Sequence, residues 1–375
     1  MSDSDASAES VSLLERLIPD SFYTVFREER TFLALLGVFF FVAGVSFPNA
    51  EIAKWVGFAL AGYSAIANDS IQTIGTFIAS NEDKKWWVLW LFIGGIFLAT
   101  VSYSWYAYDG DVSYQRLASK GFSEAPASFT FLQIAAPIFL LMLTRMRMPV
   151  STTFLLLSCF AADASAIGSV LEKSLSGYLV AFVASIIVWI VLSGVIKKFI
   201  KGKPHPMWTG FQWLTSGSLW AVWIMQDAAN IAVYLPRSMT FNQFAVFALY
   251  IFFGLGILFY LRGDKIQKVV TEKSDVRDIR SATIIDFVYA IILYYFKIKS
   301  QIPMSTTWVF IGLLAGREIA MTFTDARGKG KPLKKSLKLI GKDVGYALIG
   351  LAVSIALAVA INPEIDDEIL NYFLG

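Results

Sequence analysis

Two carboxylates in this chain sit where charge is costly. Asp69 lies in Ile66-Ala67-Asn68-Asp69-Ser70-Ile71-Gln72 and Asp227 in Ile224-Met225-Gln226-Asp227-Ala228-Ala229-Asn230, both deep in long apolar stretches. A charge at membrane depth costs about 2.5–3.5 kcal/mol on insertion scales, and it persists where it faces a cavity, meets a cation or carries a proton. An amide precedes each Asp and another follows three positions later, and helix positions i and i+3 share a face. Asp69, Gln72, Asp227 and Asn230 are thus expected to bind a cation, with Asp69 and Asp227 as its charged ligands. Oxygen-only ligation suits a hard ion such as Na⁺. The competing reading is a carboxylate that only bonds neighbouring helices.

A second pattern also occurs twice: Pro149-Val150-Ser151-Thr152-Thr153 and Pro303-Met304-Ser305-Thr306-Thr307. Proline suits the first turn of a helix and Ser or Thr its cap. The first N–H groups of such a helix lack internal partners and, with the helix dipole, attract an anion. Ser151, Thr152, Thr153, Ser305, Thr306 and Thr307 add hydroxyls that can replace an oxyanion's water shell. Ordinary capping at the membrane surface is the alternative. One further pair occupies equivalent positions, Asp163 and Arg317. Three readings stay open for Arg317: pairing with Asp163 across a pseudo-twofold axis, attracting the anion, or pairing locally with Glu318.

The elements that must position these groups are apolar spans. Of the 375 residues, 56% are hydrophobic and 16% charged, against roughly a quarter charged in ordinary soluble domains. Segments long enough to cross a bilayer fall at about 31–47, 52–80, 86–106, 128–145, 149–171, 176–197, 209–236, 241–261, 281–298, 303–321 and 343–361. The fifth and tenth start with proline and hydroxyl residues, so re-entrant segments are an alternative there; the loop charges favour crossing by both, with which a broken helix is compatible. Basic clusters at 197–203, 262–280 and 327–342 all fall on the cytoplasmic side if every segment crosses and the N-terminus is inside. The acidic tail, with Glu364, Asp366, Asp367 and Glu368, then falls outside.

The offsets between the patterns agree: 158 residues separate Asp69 from Asp227 and 154 separate Ser151 from Ser305. The expected fold is an all-α polytopic membrane protein with about 11 crossings. It has a cytoplasmic tail (1–30), an extra N-terminal span (31–51), two five-segment repeats (52–200 and 209–361) and an acidic C-terminal tail (362–375). An odd number of crossings per unit inverts the second copy. In that plan the substrate site lies near the bilayer midplane, where the repeats meet.

Other features exclude more than they assign. A single cysteine, Cys159, allows no intrachain disulfide, and a single histidine, His205 in a proline-rich loop, rules out a multi-histidine metal site. Residues 1–30 lack the order of a signal peptide. Trp86, Trp87, Trp208 and Trp213 read as interfacial belts. The Lys329–Lys342 tract suits topology or anionic lipid rather than nucleic acid. With no nucleophile elbow, histidine site or ligand cluster in view, the chain is not expected to be an enzyme or to carry a resident cofactor.

The repeated motifs resemble those of the inorganic phosphate transporter family, PiT type. Asn68-Asp69-x-x-Gln72 and Gln226-Asp227-x-x-Asn230 are similar to that family's twice-occurring Gly-x-Asn-Asp-x-x-Asn signature. The two Pro-x-Ser-Thr-Thr runs look like its Pro-x-Ser-Thr-Thr-His runs. The match covers about 60–320. Phe154 and Trp308 stand where the family has histidine, Ile66 and Ile224 where it has glycine, and Gln72 and Gln226 where it has asparagine. The resemblance implies a cation-coupled symporter, using Na⁺ or H⁺, for phosphate in the plasma (inner) membrane. By the resemblance, Asn68, Asp69, Gln72, Gln226, Asp227 and Asn230 would serve cation and phosphate binding, and the six Ser and Thr residues would contact phosphate and cation. Arg317, placed by the repeat offset and not by the resemblance, is a further candidate for the anion. Sulfate or another oxyanion, or a membrane sensor or scaffold that keeps the fold without transport, are the alternatives. A homo-oligomer is left open.

Overall fold

The computed structural model describes residues 29–119, 121–146, 148, 150–161, 164–199, 202–261, 278–295, 305–324 and 333–362. Among these, all regular structure is helical. The helices are α1 (Arg30–Ser46), α2 (Ala50–Ser80), α3 (Trp86–Ala107), α4 (Arg116–Ser119), α5 (Phe131–Arg145) and α6 (Thr152–Ser158). They continue with α7 (Ala164–Phe199), α8 (Met207–Ala232), α9 (Phe241–Tyr260), α10 (Ile279–Leu293), α11 (Thr306–Thr324) and α12 (Leu333–Ile361). By length and composition, three stretches could cross a membrane: α3, α9 and Ser336–Ile361 within α12.

The distribution of polarity is that of a body solvated by hydrocarbon. Val38, Phe41 and Val45 on α1, Leu179, Val183 and Ile187 on α7, and Leu249, Phe253 and Ile257 on α9 form exposed apolar stripes at helical spacing. Exposed apolar area on this scale marks an interaction surface, here one for lipid. Asn68, Asp69, Gln226, Asp227, Asn230 and Asp286 are all buried.

Local signals set the helix ends. Asn49 caps α2, Asp278 caps α10, and Thr130 with Gln133 and Thr240 with Gln243 close reciprocal capping boxes on α5 and α9. Pro137 inside α5 has no N–H to give the Gln133 carbonyl one turn back. The Tyr234 hydroxyl donates to that carbonyl instead, at 2.9 Å. A conflict in α5 is thereby resolved by α8's last turn and its exit.

The loops gather at two ends. At one, Arg145 pairs with Glu29 at 2.7 Å, Asn81 donates to Gln212 at 2.9 Å, and Trp86 meets Tyr260. At the other, Met239 N–H donates to the Gly110 carbonyl at 3.0 Å and Arg237 donates to the Phe122 and Glu124 carbonyls. Burial lowers the Arg237 pKa to about 10, with the Asp111 charge opposing.

The 149–171 segment is not one helix. α6 has seven residues, which rise about 10 Å, far short of a bilayer. The chain turns at 159–161 before α7 begins, and the Cys159 carbonyl accepts from Gln133 at the start of α5. α6 therefore starts in the middle of the bundle and returns towards the end where α5 began. α11 also starts mid-bundle, with the Thr306 carbonyl held by the Tyr289 hydroxyl at 2.9 Å. The helices α7 and α11 run parallel in close contact, with Tyr178 beside Gly312 and Phe182 beside Gly316. The small residues permit that approach, because a β-carbon at either glycine would overlap a carbonyl oxygen of α7. The tails at 1–28 and 363–375, the 262–277 and 325–332 stretches of the basic loops, and Pro149, Asp163, Pro303 and Met304 lie outside the described residues.

Candidate functional site

On α2, Asn68 and Gln72 lie one turn apart, and Gln72 Nε2 donates to Asn68 Oδ1 at 3.2 Å. The Asn68 amide nitrogen then reaches three acceptors: Asp69 Oδ1 at 2.7 Å, the Val150 carbonyl at 3.1 Å and Thr152 Oγ1 at 3.2 Å. On α8, Asn230 Nδ2 donates to Asp227 Oδ1 and to Thr153 Oγ1, both at 2.9 Å. The Thr153 hydroxyl donates to the same Asp227 oxygen at 3.1 Å. Adjacent threonines at the start of α6 thus join the two acidic motifs. Thr307, at the start of α11, donates to the Val150 carbonyl at 3.0 Å, so one carbonyl receives bonds from both halves of the chain.

The serines of the two runs do something different. Ser151 Oγ accepts from Phe154 N–H at 3.1 Å and Ser305 Oγ from Trp308 N–H at 3.4 Å. Both serines cap their helices, at buried positions rather than at a surface. The threonines carry the cross-helix contacts. All six hydroxyl residues are buried.

Some polar atoms are left over. Neither the nitrogen nor the oxygen of the Gln226 amide has a hydrogen-bond partner among the described residues, and Asn230 Oδ1 has none. Gln226 is 1% exposed and Asn230 0%. A buried amide without partners costs about 1–3 kcal/mol, so three such atoms beside a carboxylate mark a place built to receive something.

Arg317 is further along α11. It lies ten residues beyond Thr307 on α11, about 15 Å along the axis, with its guanidinium 5.0 Å from the Trp189 ring. Glu318 accepts from Ser336 of α12 at 3.2 Å. A test of Arg317 against Asp163 lies outside the described residues.

Three features escaped the sequence reading. The Val150 carbonyl carries no side-chain signal. Arg116, on the short helix α4, is within electrostatic reach of Asp227: burial lowers its pKa and the Asp227 charge opposes that. Asp286 on α10, also buried, accepts from Thr76 Oγ1 of α2 at 2.6 Å and from Ser216 Oγ of α8. The rule that singled out Asp69 and Asp227, a carboxylate inside an apolar run, applies equally to Asp286 and could have found it.

The donor set is carboxylate, amide and hydroxyl oxygen. Among the described residues no group of three or more His, Cys, Asp or Glu side chains gathers. Such a set fits an alkali cation and offers nothing soft for a transition metal. An apolar crevice lined by Phe97, Trp220, Trp223, Phe247 and Ile251 lies between α2, α3, α8 and α9 and lacks polar groups to orient a ligand. No family model, curated protein or solved structure matches this chain.

Proposed function

We propose that this chain is a secondary transporter that carries inorganic phosphate across the membrane together with a cation, Na⁺ or H⁺. The observation that carries the reading is the meeting of the repeated motifs: Asn68 and Asp69 with Thr152, Asp227 and Asn230 with Thr153, and Thr307 with Val150. Four stretches far apart in sequence supply complementary chemistry at one level of the bundle. Hydroxyl and amide groups can donate to a tetrahedral oxyanion, and a cation taken up at or beside these buried carboxylates offsets repulsion between them and the anion. The unpartnered Gln226 amide supplies a donor and an acceptor not already spent.

The layout read from the sequence, two inverted halves plus an extra span, is part of this proposal. It is supported by a correspondence in packing. Exchanging α2 with α8, α3 with α9, α5 with α10, α6 with α11 and α7 with α12 turns each of several packed pairs into another. The α2–α5 pair becomes α8–α10, α6–α12 becomes α11–α7, and α5–α6 becomes α10–α11. Rocking of one half against the other would then open the shared centre to each face in turn. Orientation with the Arg145 and Asn81 end in the cytoplasm follows from the basic loops.

Radiolabelled phosphate and sulfate uptake into proteoliposomes under imposed Na⁺ or H⁺ gradients tests this. Accumulation in the intact protein, lost in Asp69→Asn and Asp227→Asn, is the expected result. No uptake of either anion by folded protein would leave the sensor or scaffold reading, which the Phe154 and Trp308 replacements favour.

A further inference from the structure

We propose that Asp286 is the group that takes up and releases the coupling proton, which makes H⁺ the coupling ion. This deepens the transport reading and rests on it. Asp286 is 1% exposed, and no Lys or Arg pairs with it among the described residues. Each carboxylate oxygen instead meets one hydroxyl, from Thr76 on α2 and Ser216 on α8. A hydroxyl donates to a carboxylate and accepts from a carboxylic acid, so the same pair serves both protonation states without moving a helix. A hard metal cation prefers about six oxygen ligands. Here one carboxylate and two hydroxyls meet on three helices whose carbonyls are used within the helices.

The surroundings give the proton somewhere to come from and something to act on. Ser216 Oγ accepts from Gln212 Nε2 at 2.9 Å, Gln212 Oε1 from Asn81 Nδ2 at 2.9 Å, and Asn81 Oδ1 from Trp213 Nε1 at 3.0 Å. Asn81 ends α2 beside exposed Glu82 and Asp83, so a polar track joins Asp286 to one face. In the other direction Tyr289, three residues on, feels the charges of Asp286, Asp69 and Asp227 and holds the start of α11 through Thr306. Among the described side chains, the charged groups on the helices packed around α10 are Glu51 and Lys54 at the far end of α2 and Asp69 within it, Asp227 on α8, Arg317 and Glu318 on α11, and Glu172 on α7. On α10 itself, Arg280 is paired with Asp278 at its first turn. An anion arriving beside Asp69 and Asp227 draws a proton onto Asp286 by Coulomb attraction, and its departure lets the proton go.

The test reconstitutes the wild type, Asp286→Asn and Asp286→Glu, and reads two activities. Phosphate–phosphate exchange needs the site but no net proton movement, whereas accumulation against a gradient needs coupling. Asp286→Asn should keep exchange within about twofold of wild type while its pH-driven accumulation falls to the level of protein-free liposomes. Asp286→Glu should recover part of it. Asp286→Asn that still accumulates phosphate on a pH gradient overturns the proposal, as does wild type driven by Na⁺ alone, and both leave phosphate transport standing. A wild type without exchange overturns the transport reading and this role with it. Difference infrared spectroscopy of purified protein adds a readout independent of transport. A titrating carboxylic-acid band should be missing from Asp286→Asn, and its persistence there refutes the assignment.

Discussion

The hydroxyl of Thr153 donates to Asp227 at 3.1 Å across a gap of 74 residues in sequence, and Asn230 bonds both partners. This three-membered cluster ties the first turn of α6 to the C-terminal turns of α8. Replacing Thr153 by valine preserves shape and removes the hydroxyl. The buried Asp227 oxygen and Asn230 amide then each lose a partner, which costs about 1–3 kcal/mol. Thr153→Ser should recover most of that. Thermal unfolding in detergent, compared across the three proteins, reads the difference directly.

Gln226 tests the trade between stability and function. Its amide is buried without partners, so a leucine of similar size removes a penalty. Gln226→Leu is expected to raise stability by about 1 kcal/mol and to abolish phosphate exchange. A variant that is destabilised and still active would assign the amide a structural role.

Asp227→Asn and Asp69→Asn are near-isosteric. An amide oxygen at 227 still accepts from Thr153 and Asn230, so unfolding should shift by no more than about 1 kcal/mol. Cation-driven uptake should nonetheless fall by about a hundredfold or more, the scale of losing a charged ligand worth about 3 kcal/mol. Initial uptake rates at saturating cation separate this from a mere weakening of affinity.

Helix contact can be tested at glycines. Gly312→Ala and Gly316→Ala place a methyl group against the Tyr178 and Phe182 carbonyls and should each cost about 1–3 kcal/mol. Gly95→Ala on α3, where nothing lies within 4 Å, should be neutral or slightly stabilising. Equal behaviour at the three positions would contradict the close α7–α11 approach.

A double-mutant cycle addresses the proline in α5. Tyr234→Phe leaves the Gln133 carbonyl unsatisfied and should cost about 1–2 kcal/mol. With Pro137→Ala the backbone N–H returns, and the same tyrosine change should cost less. Absence of coupling between the two would show that Tyr234 acts through packing alone.

Legibility in the sequence followed physical locality. A carboxylate in an apolar run, a hydroxyl cluster after proline and the recurrence of both are one-dimensional signals, because burying charge is costly wherever it occurs. Asp69, Asp227 and the Ser-Thr-Thr runs were found that way. The roles within the runs were not legible: Ser151 and Ser305 cap while Thr152, Thr153 and Thr307 reach across, and that division depends on which way each side chain leaves its helix.

The amino-acid order by itself determined that the chain is helical, apolar on its surface and doubled in its motifs, since hydropathy and spacing act along the chain. Only the tertiary structure decided that α6 is a seven-residue fragment starting mid-bundle and that Val150 offers its carbonyl to two distant side chains. It also decided that Thr76 and Ser216 close on Asp286. Those facts depend on where separate helices cross, and crossing is set by the packing of whole faces, such as the glycine-lined contact of α7 with α11, which no single stretch of sequence contains.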